Sequence, residues 1–157
     1  ILEDHVVHIV VNNFIEYFRV RTSDKMNFVI TGDTQVRAML SIPLFDWVIE
    51  NLLKNAVNAI DNDGTITVNI IENLTKEEVF IDVTDTGKGI PRSNFDTVFQ
   101  PGYTTRKRGW GLGLSLTKRI VENYHSGEIF VKESELGKGT TFRIILKSSL
   151  TYEPTTA

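Results

Sequence analysis

The sequence predicts an α+β fold, a two-layer α/β sandwich in which helices cover one face of a mixed, mostly antiparallel sheet. Three segments with apolar residues at helical spacing are separated by short runs of β-branched residues, and two pairs of those runs read as hairpins. The chain has 157 residues, of which 41% are hydrophobic and 24% charged, which is enough for one globular core. We therefore expect residues 1–157 to form a single domain.

The three helices are predicted from apolar side chains that recur every three or four residues. The first is expected over residues 4–18 and the second over residues 45–60, where Pro43 precedes its start. The third is expected in "LSLTKRIVENYH", residues 114–125, after a polar and basic loop.

The strands are predicted from alternating or continuous runs of apolar and β-branched residues. "MNFVITGD" predicts a short strand with a turn, and "GTITVNII" and "EEVFIDVTD" predict two antiparallel strands joined through "ENLTK". "GEIFVKES" and "GKGTTFRIILK" predict a final hairpin that turns near Gly137 and Gly139.

Charge and composition exclude several classes of protein. The formal net charge of -3 provides no basic field for nucleic acid, and no apolar run approaches the roughly 20 residues of a membrane span. The absence of cysteine excludes disulfides and thiolate metal sites and suits a reducing compartment. We expect a cytoplasmic chain with no membrane contact of its own. It has no initiator methionine or signal peptide and opens in a helix-like segment, which favours a fragment of a longer protein.

The segment "DVTDTGKGIP" places a carboxylate beside glycine-rich backbone. Asp85 ends an apolar strand, Gly87 and Gly89 follow at once, and Pro91 comes two residues later. A glycine cluster alone fits a turn equally well, but a carboxylate beside exposed backbone favours binding. An ionised Asp only accepts hydrogen bonds, and adenine presents a donor amino group where guanine presents an acceptor oxygen. Asp85 is therefore a candidate for adenine selection.

The second predicted helix carries three asparagines along one line. Asn51, Asn55 and Asn58 stand at i, i+4 and i+7 and border the apolar stripe. Amide oxygens can join phosphates and waters around Mg2+, which makes Asn51 and Asn55 candidates for a phosphate and metal site. Asn58 fits a solvated helix flank better, and Glu50 with Lys54 fits a surface ion pair.

Five ordered segments carry a resemblance to a known family: "NLLKNAVNA", "DVTDTGKGIP", "VFQPGYTTR", "GWGLGLSLTKRIVENYHSGEIFV" and "GKGTTFRI". They resemble the N, G1, F and G2 boxes of the ATP-binding catalytic domain of sensor histidine kinases, in a superfamily that includes gyrase, Hsp90 and MutL. The resemblance covers about residues 44–147 and implies the Bergerat α/β sandwich. It also implies binding of ATP or ADP with Mg2+ and a part in two-component signal transduction.

The resemblance implies roles for particular residues. Asn55 would be the Mg2+ ligand with Asn51 near the phosphates, and these two are the candidate catalytic residues. Asp85 would contact adenine, and Thr140 would help to hold the base through water. The other residues implied around the nucleotide are Gly87, Gly89, Ile90, Thr104, Thr105, Arg106, Gly109, Gly111, Leu112, Gly113 and Leu114.

The sequence departs from the family pattern at several positions. Many kinases of this type carry Lys or Arg where this chain has Asn58, so a phosphate cation is expected from Arg106, Lys107 or Arg108 in the lid. Trp110, between two lid glycines, is expected to pack the lid. Ser126 replaces a glycine that commonly precedes the following strand, which is a small change with no clear consequence at the level of sequence.

His5 and His8 lie in the first predicted helix and are expected to be structural, because they are too close to Asn51 to be the acceptor histidine that the resemblance implies. His125 belongs to the end of the third predicted helix. The resemblance implies that the acceptor histidine lies on a separate dimerisation domain of the same protein and that a response regulator is a further partner. We expect this chain to be a monomer that binds nucleotide without phosphorylating itself.

Two other classes of function stay open. A gyrase-type ATPase or an anti-sigma-type serine kinase carries a glutamate four residues before the box asparagine, the position of Asn51 here. Glu50 is adjacent, but on a helix it is rotated by about 100° from that position. The second of these classes is a nucleotide-binding module without phosphoryl transfer, and the intact glycine boxes argue against it.

Overall fold

The computed structural model describes residues 1–103 and 113–149. The strands in these ranges are β1 (Glu3–Val6), β2 (Met26–Gly32), β3 (Arg37–Leu40), β4 (Gly64–Asn73), β5 (Glu78–Asp85), β6 (Glu128–Glu135) and β7 (Gly139–Lys147). The α-helices are α1 (Val7–Arg19), α2 (Ile42–Ala59) and α3 (Gly113–Arg119). Two short 3-10 turns, Arg92–Asn94 and Thr97–Phe99, follow β5, and a π-helical turn, Ile120–Tyr124, continues α3. No helix in the described ranges combines the length and the apolarity needed to cross a membrane.

Five strands form the main sheet in the order β2-β4-β5-β7-β6. Strands β2 and β4 are parallel, and the other three pairs are antiparallel. The hairpins predicted from the sequence are the pairs β4–β5 and β6–β7. The prediction of a mixed, mostly antiparallel sheet with helices on one face is therefore confirmed.

The core lies between α1, α2 and one face of this sheet. Alternate residues of β5, namely Val79, Ile81 and Val83, are almost fully buried. All three pair with buried residues of β7, and Ile81 and Val83 also pair with buried residues of β4. Burial of one such side chain stabilises the fold by about 1.5–3 kcal/mol. Asp85 is the next residue of the same face. The apolar alternation therefore carries a carboxylate to the end of the strand on the core side of the sheet.

The start of the first helix is predicted wrongly. Residues 3–6 form β1, which pairs antiparallel with β3 from Glu3↔Leu40 to Val6↔Arg37, and helix α1 begins only at Val7. His5 therefore lies in a strand rather than in a helix. The apolar spacing of this segment is helical, but pairing with a strand more than 30 residues away decides its conformation.

Helix α2 begins earlier than predicted because Ser41 caps it. The Ser41 side chain accepts a hydrogen bond from the Leu44 amide at 3.5 Å, and Pro43 occupies the first turn. The helix then presents Phe45, Val48, Ile49, Leu52, Leu53 and Ala56 to the core. This burial fixes the rotation of α2 and hence the direction of its asparagines.

His125 ties the end of the third helix to the start of α2. Its Nε2 accepts a hydrogen bond from the Ser41 amide at 3.2 Å, so Nδ1 carries the proton and donates to the Ile120 carbonyl at 3.1 Å. The side chain is 4% exposed, and burial lowers the pKa of His125. His125 thus lies at the end of the third helix, as predicted, and has a structural role there.

Ser126 follows His125 with a positive φ of 54°. Left-handed backbone costs a residue with a Cβ roughly 1–2 kcal/mol, and only glycine adopts it freely. The replacement of glycine by Ser126 therefore has a structural consequence that the sequence does not reveal, because the serine stands where the chain has a left-handed residue before β6.

We predict that Ser126→Gly raises the free energy of unfolding by about 1 kcal/mol, because the strain at φ 54° is removed. Urea denaturation measures the change. Ser93→Gly is the control, because Ser93 is also exposed but lies in a 3-10 turn without a positive φ, where glycine costs about 0.5–1 kcal/mol. Equal effects of the two substitutions would contradict the strain at Ser126.

Candidate functional site

The candidate site is built around Asp85 at the end of β5. This side chain is 3% exposed, and its Oδ1 accepts a hydrogen bond from the Gly87 amide at 2.8 Å. Burial raises the pKa of Asp85, while hydrogen bonds from the backbone amides of Gly87 and Thr140 act in the opposite direction. Two amides thus hold a buried carboxylate in place. Its remaining lone pairs are acceptors.

The glycine loop after β5 is held between two other elements. On one side, the Lys88 amide donates to the Ala59 carbonyl at the end of α2 at 2.9 Å, and a Cβ on Gly87 would lie 2.5 Å from that carbonyl oxygen. On the other side, the Gly137 amide donates to the Lys88 carbonyl at 2.8 Å. Gly89 has a φ of +81°, and a Cβ there would lie 2.3 Å from the Glu135 carbonyl oxygen. Glycines at 87 and 89 are therefore required by close backbone contacts.

Thr140 lies next to Asp85 across the β5–β7 ladder. It is 4% exposed, and its hydroxyl is 2.7 Å from the Ser134 Oγ of β6. The Ser134 Oγ also accepts a hydrogen bond from the Ile90 amide at 2.7 Å. The site therefore includes Ser134, which sequence reasoning missed. The only signal in the sequence is the position of this serine at the end of the predicted strand "GEIFVKES".

Helix α2 lines the site with two of its three asparagines. Asn51 donates from Nδ2 to the Trp47 carbonyl at 2.8 Å, and its Oδ1 faces Gly113 at the start of α3. Asn55 is half-buried, and within the described ranges its amide makes no hydrogen bond. Asn55 precedes Ala59 by about one helical turn, so it lies roughly 6 Å along the helix axis from the residue whose carbonyl contacts the glycine loop. The structure thus brings Asn55 to the same end of α2 as Asp85.

The neighbouring polar residues of α2 lie outside the site. Asn58 is exposed and donates from Nδ2 to the Lys54 carbonyl at 2.7 Å, which confirms its assignment to a solvated helix flank. Glu50 and Lys54 form an ion pair at 2.7 Å, also as predicted. Glu50 is therefore engaged on the outer side of the helix.

Several predicted site residues lie outside the described residues: Thr104, Thr105, Arg106, Lys107, Arg108, Gly109, Trp110, Gly111 and Leu112. Gly113 and Leu114 lie at the start of α3, and Leu114 and Ile90 are partly buried against the core. Over residues 1–103 and 113–149, no three His, Cys, Asp or Glu side chains are grouped closely enough to bind a metal ion.

The site combines an acceptor-only carboxylate, a tightly packed glycine loop and a half-buried amide on α2. Such a carboxylate recognises a ligand that presents hydrogen-bond donors. The amide of Asn55 has no partner in the described ranges and offers a hard oxygen to a cation. The arrangement can therefore hold a molecule with a donor-bearing end at Asp85 and an anionic, cation-bearing part along α2.

Comparison with known proteins finds the same kind of protein, kinases and related ATPases, by sequence profile and by sequence identity. The sequence profile described as "Histidine kinase-, DNA gyrase B-, and HSP90-like ATPase" matches residues 41–150. Sensor histidine kinase ZraS of Salmonella typhi is 46% identical over 99 residues, which are 63% of this chain and 21% of that protein. Sporulation kinase A of Bacillus subtilis is 37% identical over 126 residues, 80% of this chain and 19% of that protein. This chain thus spans about a fifth of the length of these relatives.

Solved structures agree on the fold. The catalytic domain of histidine kinase ThkA has a TM-score of 0.82 at 22% identity, with 94% of this chain and 95% of that chain covered. ThkA in complex with the response regulator protein TrrA also has a TM-score of 0.82, at 21% identity, with 97% of this chain and 43% of that chain covered.

We predict that Gly89→Ala destabilises the protein by at least about 1 kcal/mol more than Gly137→Ala, because an alanine at 89 also overpacks against the Glu135 carbonyl. The two glycines have nearly the same φ, +81° and +79°, but a Cβ at 137 meets nothing within 4 Å. Gly137→Ala therefore reports the backbone strain alone. Urea denaturation of both variants measures the difference, and equal destabilisation would show that the loop is not packed against the β6–β7 turn.

Proposed function

Because the chain belongs to the family of histidine kinase-, DNA gyrase B- and HSP90-like ATPases, we propose that it binds Mg-ATP and positions the γ-phosphate for transfer to a histidine on a separate domain. This makes it the catalytic domain of a histidine protein kinase in two-component signal transduction. The observation that carries the proposal is the buried Asp85 carboxylate, held by two backbone amides beside a glycine loop that contacts the end of α2, the helix that carries Asn55.

Asp85 is proposed to bind the adenine amino group. A carboxylate that is already fixed by two N–H groups has only acceptor lone pairs left for a ligand. Adenine presents a donor at this edge and guanine an acceptor oxygen, so guanine would place two acceptors against each other. Thr140 contributes a second buried oxygen beside Asp85, and Gly87 and Gly89 let the backbone approach the base.

Asn55 is proposed to hold Mg2+ between α2 and the phosphates. The fit of this residue rests on its half-buried amide, which has no protein partner in the described ranges and offers a hard oxygen. Mg2+ supplies charge neutralisation to the phosphates when it is bound. Asn51 is proposed to lie near the phosphates, together with lid residues Thr104, Thr105 and Arg106.

The contribution of this chain to phosphoryl transfer is proposed to be positioning and charge stabilisation. The side-chain amide of Asn51 is hydrogen-bonded to the Trp47 carbonyl, and Glu50 forms an ion pair with Lys54. Neither residue therefore serves as a base for water or a hydroxyl. The nucleophile then comes from outside, from a histidine on the dimerisation domain of the parent protein, and a response regulator receives the phosphoryl group. We propose a cytoplasmic, monomeric domain for the chain itself.

We predict that Asp85→Asn weakens ATP binding by about 1.5–3 kcal/mol, because the amide loses the charge-assisted hydrogen bond and presents a donor to a donor. Isothermal titration calorimetry with ATP, ADP and GTP measures this. The exposed Asp24→Asn is the control and should bind ATP like the wild type. Unchanged ATP affinity in Asp85→Asn would remove Asp85 from the adenine site.

We predict that Asn55→Ala abolishes most of the increase in ATP affinity that Mg2+ produces and changes metal-free binding little, because the amide oxygen is the proposed metal ligand. Calorimetry in Mg2+ and in EDTA separates the Mg2+-dependent gain in ATP affinity from metal-free ATP binding. Asn58→Ala, one turn away on the exposed flank, should keep the full Mg2+ effect. Equal loss in both conditions would instead make Asn55 a packing residue.

We predict that the chain alone binds ATP without appreciable turnover and labels a histidine of the parent acceptor domain when that domain is added in trans, because transfer then depends on encounter. Radiolabelled ATP followed by acid and alkali treatment identifies phosphohistidine, which is labile in acid and stable in base. Acid-stable label on a serine would favour the anti-sigma class. Phosphate release by the chain alone that Glu50→Gln abolishes would place the chain with the ATPases.

A further inference from the structure

Three polar side chains form a row across the end of the sheet where the base is proposed to bind. Asp85 of β5 pairs with Thr140 of β7, and Thr140 pairs with Ser134 of β6. Directly paired residues lie on the same face of a sheet, so all three side chains face the helix layer. Asp85 and Thr140 are 3% and 4% exposed, respectively, and Ser134 is half-buried.

The contacts of Ser134 determine which hydroxyl donates to which. The Ser134 Oγ accepts from the Ile90 amide at 2.7 Å and lies 3.0 Å from the Gly139 carbonyl oxygen, which can only accept. The Ser134 hydroxyl therefore donates its proton to the Gly139 carbonyl oxygen. The third contact, at 2.7 Å to the Thr140 Oγ1, then needs the proton of Thr140. All three contacts are satisfied together only with Thr140 as the donor to Ser134.

With this assignment, the Thr140 hydroxyl can only accept hydrogen bonds from a group in the site. Its single proton points to Ser134, so the remaining lone pairs of Oγ1 are acceptors. The Thr140 backbone amide donates to the Asp85 carboxylate and is therefore also unavailable to a ligand. The buried polar atoms at this end of the site are then the oxygens of Asp85 and Thr140, both restricted to accepting hydrogen bonds from a ligand or from a water that bridges to it.

We propose that Ser134 is a positioning residue for base specificity, which acts by holding the Thr140 hydroxyl as an acceptor. The inference rests on the proposed function, because it concerns how the adenine site rejects bases with an acceptor at the same edge. Without Ser134 the Thr140 hydroxyl is free to rotate and donate to such a base. Asp85 supplies a fixed acceptor. Ser134 keeps the Thr140 hydroxyl from donating to a base that presents an acceptor at this edge.

The test compares ATP with inosine triphosphate (ITP), in which a carbonyl oxygen replaces the amino group of adenine and N1 carries a hydrogen. Calorimetry gives the dissociation constants of both nucleotides for the wild type and for Ser134→Ala. We expect the ratio of the ITP constant to the ATP constant to fall about fivefold in Ser134→Ala, with ITP binding tighter in absolute terms. A loss of support for the Ile90 amide alone would weaken both nucleotides and leave the ratio unchanged.

Two further variants control for the hydroxyl and for the position. Ser134→Thr keeps the hydroxyl and should keep the wild-type ratio. Thr141→Val removes a similar hydroxyl contact, 2.8 Å to Thr84, on the opposite face of the same sheet, and should also leave the ratio unchanged. If Ser134→Ala does not fold, Ser134→Cys replaces the hydroxyl with a thiol of weak donor and acceptor strength and should lower the ratio in the same direction.

A double-mutant cycle identifies the path of the effect. In a Thr140→Val background, Ser134→Ala should leave the ratio unchanged, because the hydroxyl that Ser134 orients is absent. An unchanged ratio in Ser134→Ala, with a wild type that prefers ATP, would overturn this inference and leave the proposed function intact. A wild type that binds ATP no better than ITP would overturn the adenine site itself.

Discussion

The structure depends on one buried carboxylate being held by backbone amides. Asp85 lies at the end of a strand whose preceding inward side chains are apolar, and without the amides of Gly87 and Thr140 its burial would carry an uncompensated charge. Those two amides come from different segments, the glycine loop and β7. The carboxylate therefore fixes both segments, and both must keep their conformation for it to stay ionised and accept a donor.

The glycine loop transmits that constraint to α2. Because the Lys88 amide and the Gly87 backbone contact the Ala59 carbonyl, the end of α2 is packed directly against the loop. The rotation of α2 is set by its apolar face, which leaves Asn51 and Asn55 toward the site and Glu50 and Lys54 on the outside. The end proposed to bind the base and the helix proposed to face the phosphates are therefore in direct contact, as a positioning mechanism requires.

Much of this could be predicted from the sequence, because it is encoded locally. Apolar alternation gives the β4–β5 and β6–β7 hairpins, and the ordered motifs give Asp85 and Asn55. The parts that were missed depend on distant pairing: β1 is a strand because β3 lies beside it, and Ser134 belongs to the site because its strand is in register with Thr140. The strain at Ser126 was missed because φ follows from how the chain leaves His125, which no local pattern reports.

The proposed role of Asp85 is to bind the amino group of adenine through its carboxylate. A crystal structure of this protein with a non-hydrolysable ATP analogue and Mg2+ tests it most directly. We expect the adenine amino nitrogen at hydrogen-bond distance, about 2.7–3.2 Å, from an Asp85 oxygen, with the amides of Gly87 and Thr140 still hydrogen-bonded to the carboxylate. A base bound elsewhere, or one whose amino group points away from Asp85, would contradict it.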